Sequence, residues 1–156
     1  MSLNKFKNNL AILPQEAAQS LRSEYIKSFM DTQKQYYNKY IDTVNEYSDG
    51  ACYTGYLWDC LKNAIVIDLQ YIESISNNLN SVYVLWDIHT KERIFIEDYW
   101  KFGKDSILKL KFAELMKNLE YLPEDIYIFD ESFTWTVVLT HEYVDDKRWC
   151  LRSGNI

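Results

Sequence analysis

Asp87-Ile88-His89 sets a carboxylate and an imidazole two positions apart, which places both on one face of an extended chain, and His141-Glu142 offers a second such pair. Brought together by folding, these groups would have the chemistry of a hydrolytic or metal centre: a base, an acid and oxygen and nitrogen donors. The chain holds two histidines in all and no HExxH spacing, so a structural reading is preferred. Asp87 and His89 adjoin a hairpin loop, where polar side chains are expected, and His141 shares a strand face with Trp135 and Leu139. Cys52 and Cys60 are separated by seven residues, outside CxxC spacing, and with Cys150 they are expected to be reduced, buried core thiols. The four glycines form neither a P-loop nor GxGxxG. No metal and no cofactor is predicted. An enzyme of hydrolase type using Asp87/His89 and His141/Glu142 is the alternative to a non-catalytic protein.

The charge pattern points to binding. From Glu120 to Asp146 the chain carries eight acidic residues and no Lys or Arg. Tyr121, Tyr127, Phe129, Phe133, Trp135 and Tyr143 are interleaved with them, a composition too aromatic for a disordered acidic tail. Asp130, Glu131, Asp145 and Asp146 fall in turns, and Thr136 and Glu142 share the more polar face of a strand, so these six are the predicted partner-binding residues. A fixed acidic surface suits a basic protein and repels nucleic acid. The formal charge of −6 and isoelectric point near 4.9 agree, arguing against nucleic acid and anionic membrane as partners. The bland account is that acids simply solvate a surface. Tyr36, Tyr37, Tyr40 and Tyr47 carry a similar choice between core packing and an interface, with core favoured.

These residues need a scaffold. Apolar positions at Ala18, Leu21, Tyr25, Phe29, Tyr36, Tyr40, Val44 and Tyr47 form a helical stripe, started by Pro14 and stopped by Ser48-Asp49-Gly50. A helix from about Gln15 to Tyr47 would reach roughly 50 Å, longer than the ~40 Å breadth of a compact domain, so a break near Asp31 to Gln35 is expected. Tyr56 to Leu61 reads as a short helix. Ala64 to Leu69 fits both strand and helix, with helix preferred through Ile72 and Ile75.

From Val82 the period is two, predicting a strand Val82 to Ile88 that returns as Ile94 to Glu97. Asp105-Ser106 can cap a helix running to Leu119, although Leu108 to Phe112 also alternates like a strand. Ile126 to Phe129, Thr134 to Tyr143 and Lys147 to Leu151 then predict a three-stranded meander. Trp86, Trp135 and Trp149 are the expected core tryptophans.

The 156 residues suit a single domain over 1–156, helical across about 15–76 and mainly sheet with one helix across about 82–152. The predicted class is α+β, N-terminal helices packed on a mainly antiparallel sheet. With no basic segment leading an apolar run and no stretch of membrane-spanning length, a cytoplasmic protein is expected.

The run Pro123-Glu124-Asp125-Ile126-Tyr127-Ile128-Phe129-Asp130-Glu131-Ser132-Phe133-Thr134-Trp135-Thr136, with Thr140-His141-Glu142, is similar to the terminal pattern of a family of small uncharacterised bacterial proteins. Some of these look like immunity partners of secreted toxins. The resemblance lies in the C-terminal third and brings no catalytic residue with it. It implies a bacterial cytoplasmic protein that binds and blocks a toxin, often a basic nuclease.

Overall fold

The computed structural model describes residues 2–90 and 101–156. Ser2 caps α1 (Leu3–Asn8), and β1 (Ala11–Ile12) follows. Pro14 leads into α2 (Gln15–Phe29), which stops where a break is expected. Its last turn is captured by a neighbouring segment: Asp31 N–H donates to the Cys60 carbonyl at 2.8 Å and Lys62 N–H to that of Phe29 at 2.9 Å. These bonds replace the next helical turn. Helix resumes as α3 (Gln35–Tyr40) and ends seven residues before the expected Tyr47, because 45–47 form β2 (Asn45–Tyr47) in a hairpin with β3 (Gly50–Cys52). Gly50, at φ 111°, sits where a side chain is strained, so Ser48-Asp49-Gly50 turns a hairpin.

A 3₁₀ turn at Leu57–Cys60 takes the place of the predicted short helix. The ambiguous run beyond it divides. Its β-branched residues become β4 (Ile65–Ile67), Asp68 caps the next helix by accepting from Tyr71 N–H at 2.8 Å, and α4 (Leu69–Ile75) follows. β5 (Ser81–Trp86) is the strand predicted from Val82. Its predicted return at 94–97 lies outside the described residues. Leu108–Lys111 is β6, so Asp105-Ser106 does not cap a helix. The alternating signal prevails there because Leu108 and Leu110 bury one face while Lys109 and Lys111 stay outside. α5 (Phe112–Lys117) follows at once. The meander is present as β7 (Ile126–Phe129), β8 (Trp135–Val144) and β9 (Lys147–Gly154).

Seven strands make one sheet in the order β1-β6-β5-β7-β8-β9-β4, every pairing among the described residues antiparallel. The class is α+β. Both faces of the central strands are covered. Val82, Val84, Trp86, Ile126, Ile128, Trp135, Val137 and Leu139 pack with Phe6, Ile72 and Phe112 from α1, α4 and α5. The alternate residues Leu85, Tyr127, Phe129 and Val138 pack with Tyr25 and Phe29 of α2 and with Tyr53, Leu57 and Trp58. Each large side chain fully buried this way contributes about 1.5–3 kcal/mol. Trp86 and Trp135 therefore lie on one face, while half-buried Trp149 belongs to the other.

Thr136 lies within that second layer. Expected on a polar, solvent-facing side of β8, it is fully buried, because α2 covers that face.

Candidate functional site

Where β5 ends and β7 begins, the segment from Tyr53 to Cys60 folds over the sheet and is held by carboxylates. Asp87, one residue past β5, is buried and accepts three hydrogen bonds: from Tyr53 OH at 2.8 Å, Leu57 N–H at 3.0 Å and Tyr127 OH at 2.7 Å. Tyr127 Oη in turn accepts from Trp58 N–H at 3.0 Å. Burial raises the Asp87 carboxyl above its ordinary range, against the opposing pull of His89 and of these donors. The same burial pushes Tyr53 and Tyr127 well up, so both phenols stay protonated and donate.

The second carboxylate is Asp125, just before β7. Its Oδ1 accepts from Trp58 Nε1–H at 3.1 Å and from His141 N–H at 3.0 Å, and both of its oxygens lie 3.0 Å from His141 Nδ1. A register shift between Leu139 and Tyr143 lets the His141 amide leave the β8 ladder for this side chain. The carboxylate fixes the proton on Nδ1 and leaves Nε2 as the acceptor of the neutral ring. Tyr56 links the two histidines, its ring centroid 4.9 Å from His89 and 5.0 Å from His141. His89 Nε2 lies 2.6 Å from the Gly55 carbonyl; a carbonyl only accepts, so that nitrogen bears the proton. Gly55 is required here, since a Cβ would come within 2.7 Å of Tyr40 Cβ.

The expected pairs are thus exchanged. Asp87 bonds to tyrosines and not to His89, and the carboxylate beside His141 is Asp125 and not Glu142, which is exposed. Asp87, His89, Asp125 and His141 nonetheless gather around the Tyr53 to Cys60 segment. No Ser, Thr or Cys hydrogen-bonds to either imidazole among the described residues, nor do His, Cys, Asp and Glu there form a group able to hold a metal. Cys52, Cys60 and Cys150 are buried, and burial pushes the thiols of Cys60 and Cys150 up to about 11. Asp125, Tyr53, Tyr56, Trp58 and Tyr127 were not singled out as a site by the sequence. Its one signal is the density of aromatics after Gly50 in a segment too short for its own core.

The acidic residues do not form one rim. Asp130 and Glu131 lie in the β7–β8 turn and Asp145 and Asp146 in the β8–β9 turn, at opposite ends of the ten residues of β8. At about 3.3 Å per residue this separates them by roughly 30 Å. Asp130 is committed locally: it accepts from Ser132 N–H at 2.9 Å and Trp135 Nε1–H at 2.9 Å. Glu142, Asp145 and Asp146 are exposed together, next to Tyr143 and Val144, which are 61% and 56% exposed. Between this tip and β4 runs an open groove of about 570 Å³, lined by Val66, Ile67, Tyr71, Val144, Arg148 and Trp149. Arg148 braces the tip by donating to the carbonyls of Thr140 and Glu124.

No family model, curated protein or solved structure matches the chain. No helix among the described residues is long and apolar enough to cross a membrane.

Proposed function

We propose that this chain is a non-catalytic protein-binding domain that engages a basic partner through the tip of the β8–β9 hairpin, in the manner of an immunity protein blocking a bacterial toxin. The observation that carries the reading is the exposure of Tyr143 and Val144 between Glu142 and the Asp145-Asp146 turn. The two side chains leave opposite faces of the hairpin, so each face of the tip presents one exposed apolar group beside acids, a mixture found at recognition surfaces. The turn supports it in a second way. Asp145 and Asp146 both have positive φ, 52° and 62°, a conformation for which Asn-Gly is the favourable sequence. Two acids there cost stability, which fits selection for charge.

Of the six partner-binding residues read from sequence, Glu142, Asp145 and Asp146 carry this proposal. Asp130 and Glu131 occupy the far end and Thr136 is buried. The test is co-purification from the native cell with three forms: wild type, Tyr143→Ser/Asp145→Asn/Asp146→Asn, and Asp130→Asn/Glu131→Gln. The tip variant should lose the partner, and the far-end variant should keep it. Equal recovery of every protein by all three forms removes the proposal. Once a partner is in hand, its association rate should fall with ionic strength, since steering by exposed charge weakens as the Debye length contracts to about 10 Å at 0.1 M salt.

A second reading, a small hydrolase, draws on Asp125 and His141, whose Nε2 has no hydrogen-bond partner among the described residues. That arrangement supplies a base and an orienting acid. His141→Ala separates the two readings: an enzyme would lose activity, whereas binding at the hairpin tip would persist.

A further inference from the structure

We propose that β4 pairs antiparallel with the β4 of a second copy of this chain, centred on Val66, joining two seven-stranded sheets into one across a two-fold axis. β4 is the last strand of the sheet, and its outer edge is unpaired among the described residues. Ile65 and Val66 are 49% and 58% exposed, and the stretch Ala64-Ile65-Val66-Ile67 has no charge, proline or glycine. Exposed edges are ordinarily blunted by such residues. The opposite edge, β1, is two residues long and is followed by Pro14.

The sequence and its flanking charges specify the occupant. Antiparallel pairing about Val66 sets each residue n places before it opposite the residue n places after it in the other copy. Val66 then faces Val66, and Ile65 faces Ile67. Lys62 precedes the strand and Asp68 follows it, both exposed. Antiparallel alignment brings the basic end of each strand to the acidic end of the other, whereas a parallel one would align like charges. Asp68 can take part, because its helix cap uses a single oxygen, Oδ1. In each sheet Val66 sits beside Leu151 and Ile67 beside Cys150, so the new contacts continue rows already packed on the two faces. A two-fold pairing uses the β4 edge of each copy against the other and closes at the dimer. The pairing uses the outer edge of Ile65 to Ile67, whereas the proposed partner surface uses Glu142 to Asp146, so the two rest on different residues. The pairing stands independently of what that partner is.

Sedimentation of the full chain over a concentration series tests the proposal. Wild type should pass from monomer to dimer, and Val66→Lys should remain monomeric with an unchanged far-UV circular dichroism spectrum. Register is tested with a short bis-maleimide on single added cysteines. Val66→Cys should cross-link many-fold faster than Ile12→Cys, an exposed position at the other edge. A wild-type chain that stays monomeric to millimolar concentration, a dimer that survives Val66→Lys, or equal cross-linking at the two positions would each overturn the pairing.

Discussion

Tyr25 of α2 donates its phenolic proton to Thr136 Oγ1 of β8 across 2.8 Å, although 111 positions separate them in the chain. The direction is fixed by the other end of the pair. Thr136 spends its single proton on the Ile128 carbonyl at 2.9 Å, so its oxygen can only accept from Tyr25. One threonine thereby ties α2 to two neighbouring strands, and what reads as a polar strand face is the floor of the second core.

Thr136→Val keeps the shape but strands the buried Tyr25 hydroxyl, and should destabilise the fold by about 1–3 kcal/mol. Tyr25→Phe leaves the Thr136 bond to Ile128 intact and should cost less. Urea denaturation of both single variants and the double should give a coupling above about 0.5 kcal/mol, the mark of a direct contact.

Asp87→Ala removes the acceptor of three buried donors and should cost about 3 kcal/mol or more. The pH dependence has a defined sign. A carboxyl whose folded value is raised holds its proton more tightly in the native state. Its contribution is fully present below the unfolded value of about 3.9 and fades as pH rises through the folded value. Asp87→Asn removes that titration. Relative to wild type, the variant should gain stability as pH rises from about 4 toward neutrality, measured by denaturation at a series of pH values.

Burial and the elevated thiol values of Cys60 and Cys150, about 11 each, should make the native chain resist alkylation at pH 8. Iodoacetamide followed by mass spectrometry should find all three cysteines modified in denaturant and these two nearly untouched without it. Rapid native labelling of Cys60 would mean that the 3₁₀ turn over the sheet opens readily.

Asp146→Gly places glycine at φ 62°, relieving a left-handed cost of about 1–2 kcal/mol less the entropy that glycine itself loses on folding, and should give a higher urea midpoint. The same change should weaken capture of a basic partner. Opposite signs for stability and binding would identify the turn as a functional compromise.

The strands that could be read from sequence are those long enough to show a period. β5, β8 and β9 alternate over six or more residues, β7 is an unbroken apolar run between Pro123 and Asp130, and β7, β8 and β9 pair as neighbours through short turns. β4 has three residues, too few for a period, and the β2–β3 hairpin continues the apolar spacing of the helix before it, so both were hidden. Which face of β8 meets water depends on where α2 lands, a contact made across more than a hundred positions. The site was half legible for the same reason. Asp87, His89 and His141 stood out by type, but Asp125 joins His141 only through strand pairing and a local register shift. The acids at the two ends of the meander look continuous along the chain and are parted by the length of β8.

The order of strands in the sheet also constrains how the chain comes off the ribosome. β1 and β4, both from the first half of the sequence, occupy the two outer positions, while β6 and β9, which they must pair with, are made later. Until β9 emerges, β4 lacks the strand it pairs with, and its Ile-Val-Ile stays open to water. Nascent chains ending before about residue 150 should therefore remain protease-sensitive throughout and bind hydrophobic-segment chaperones through that strand, with the protected fold arising only once the last strand is free to insert between β8 and β4.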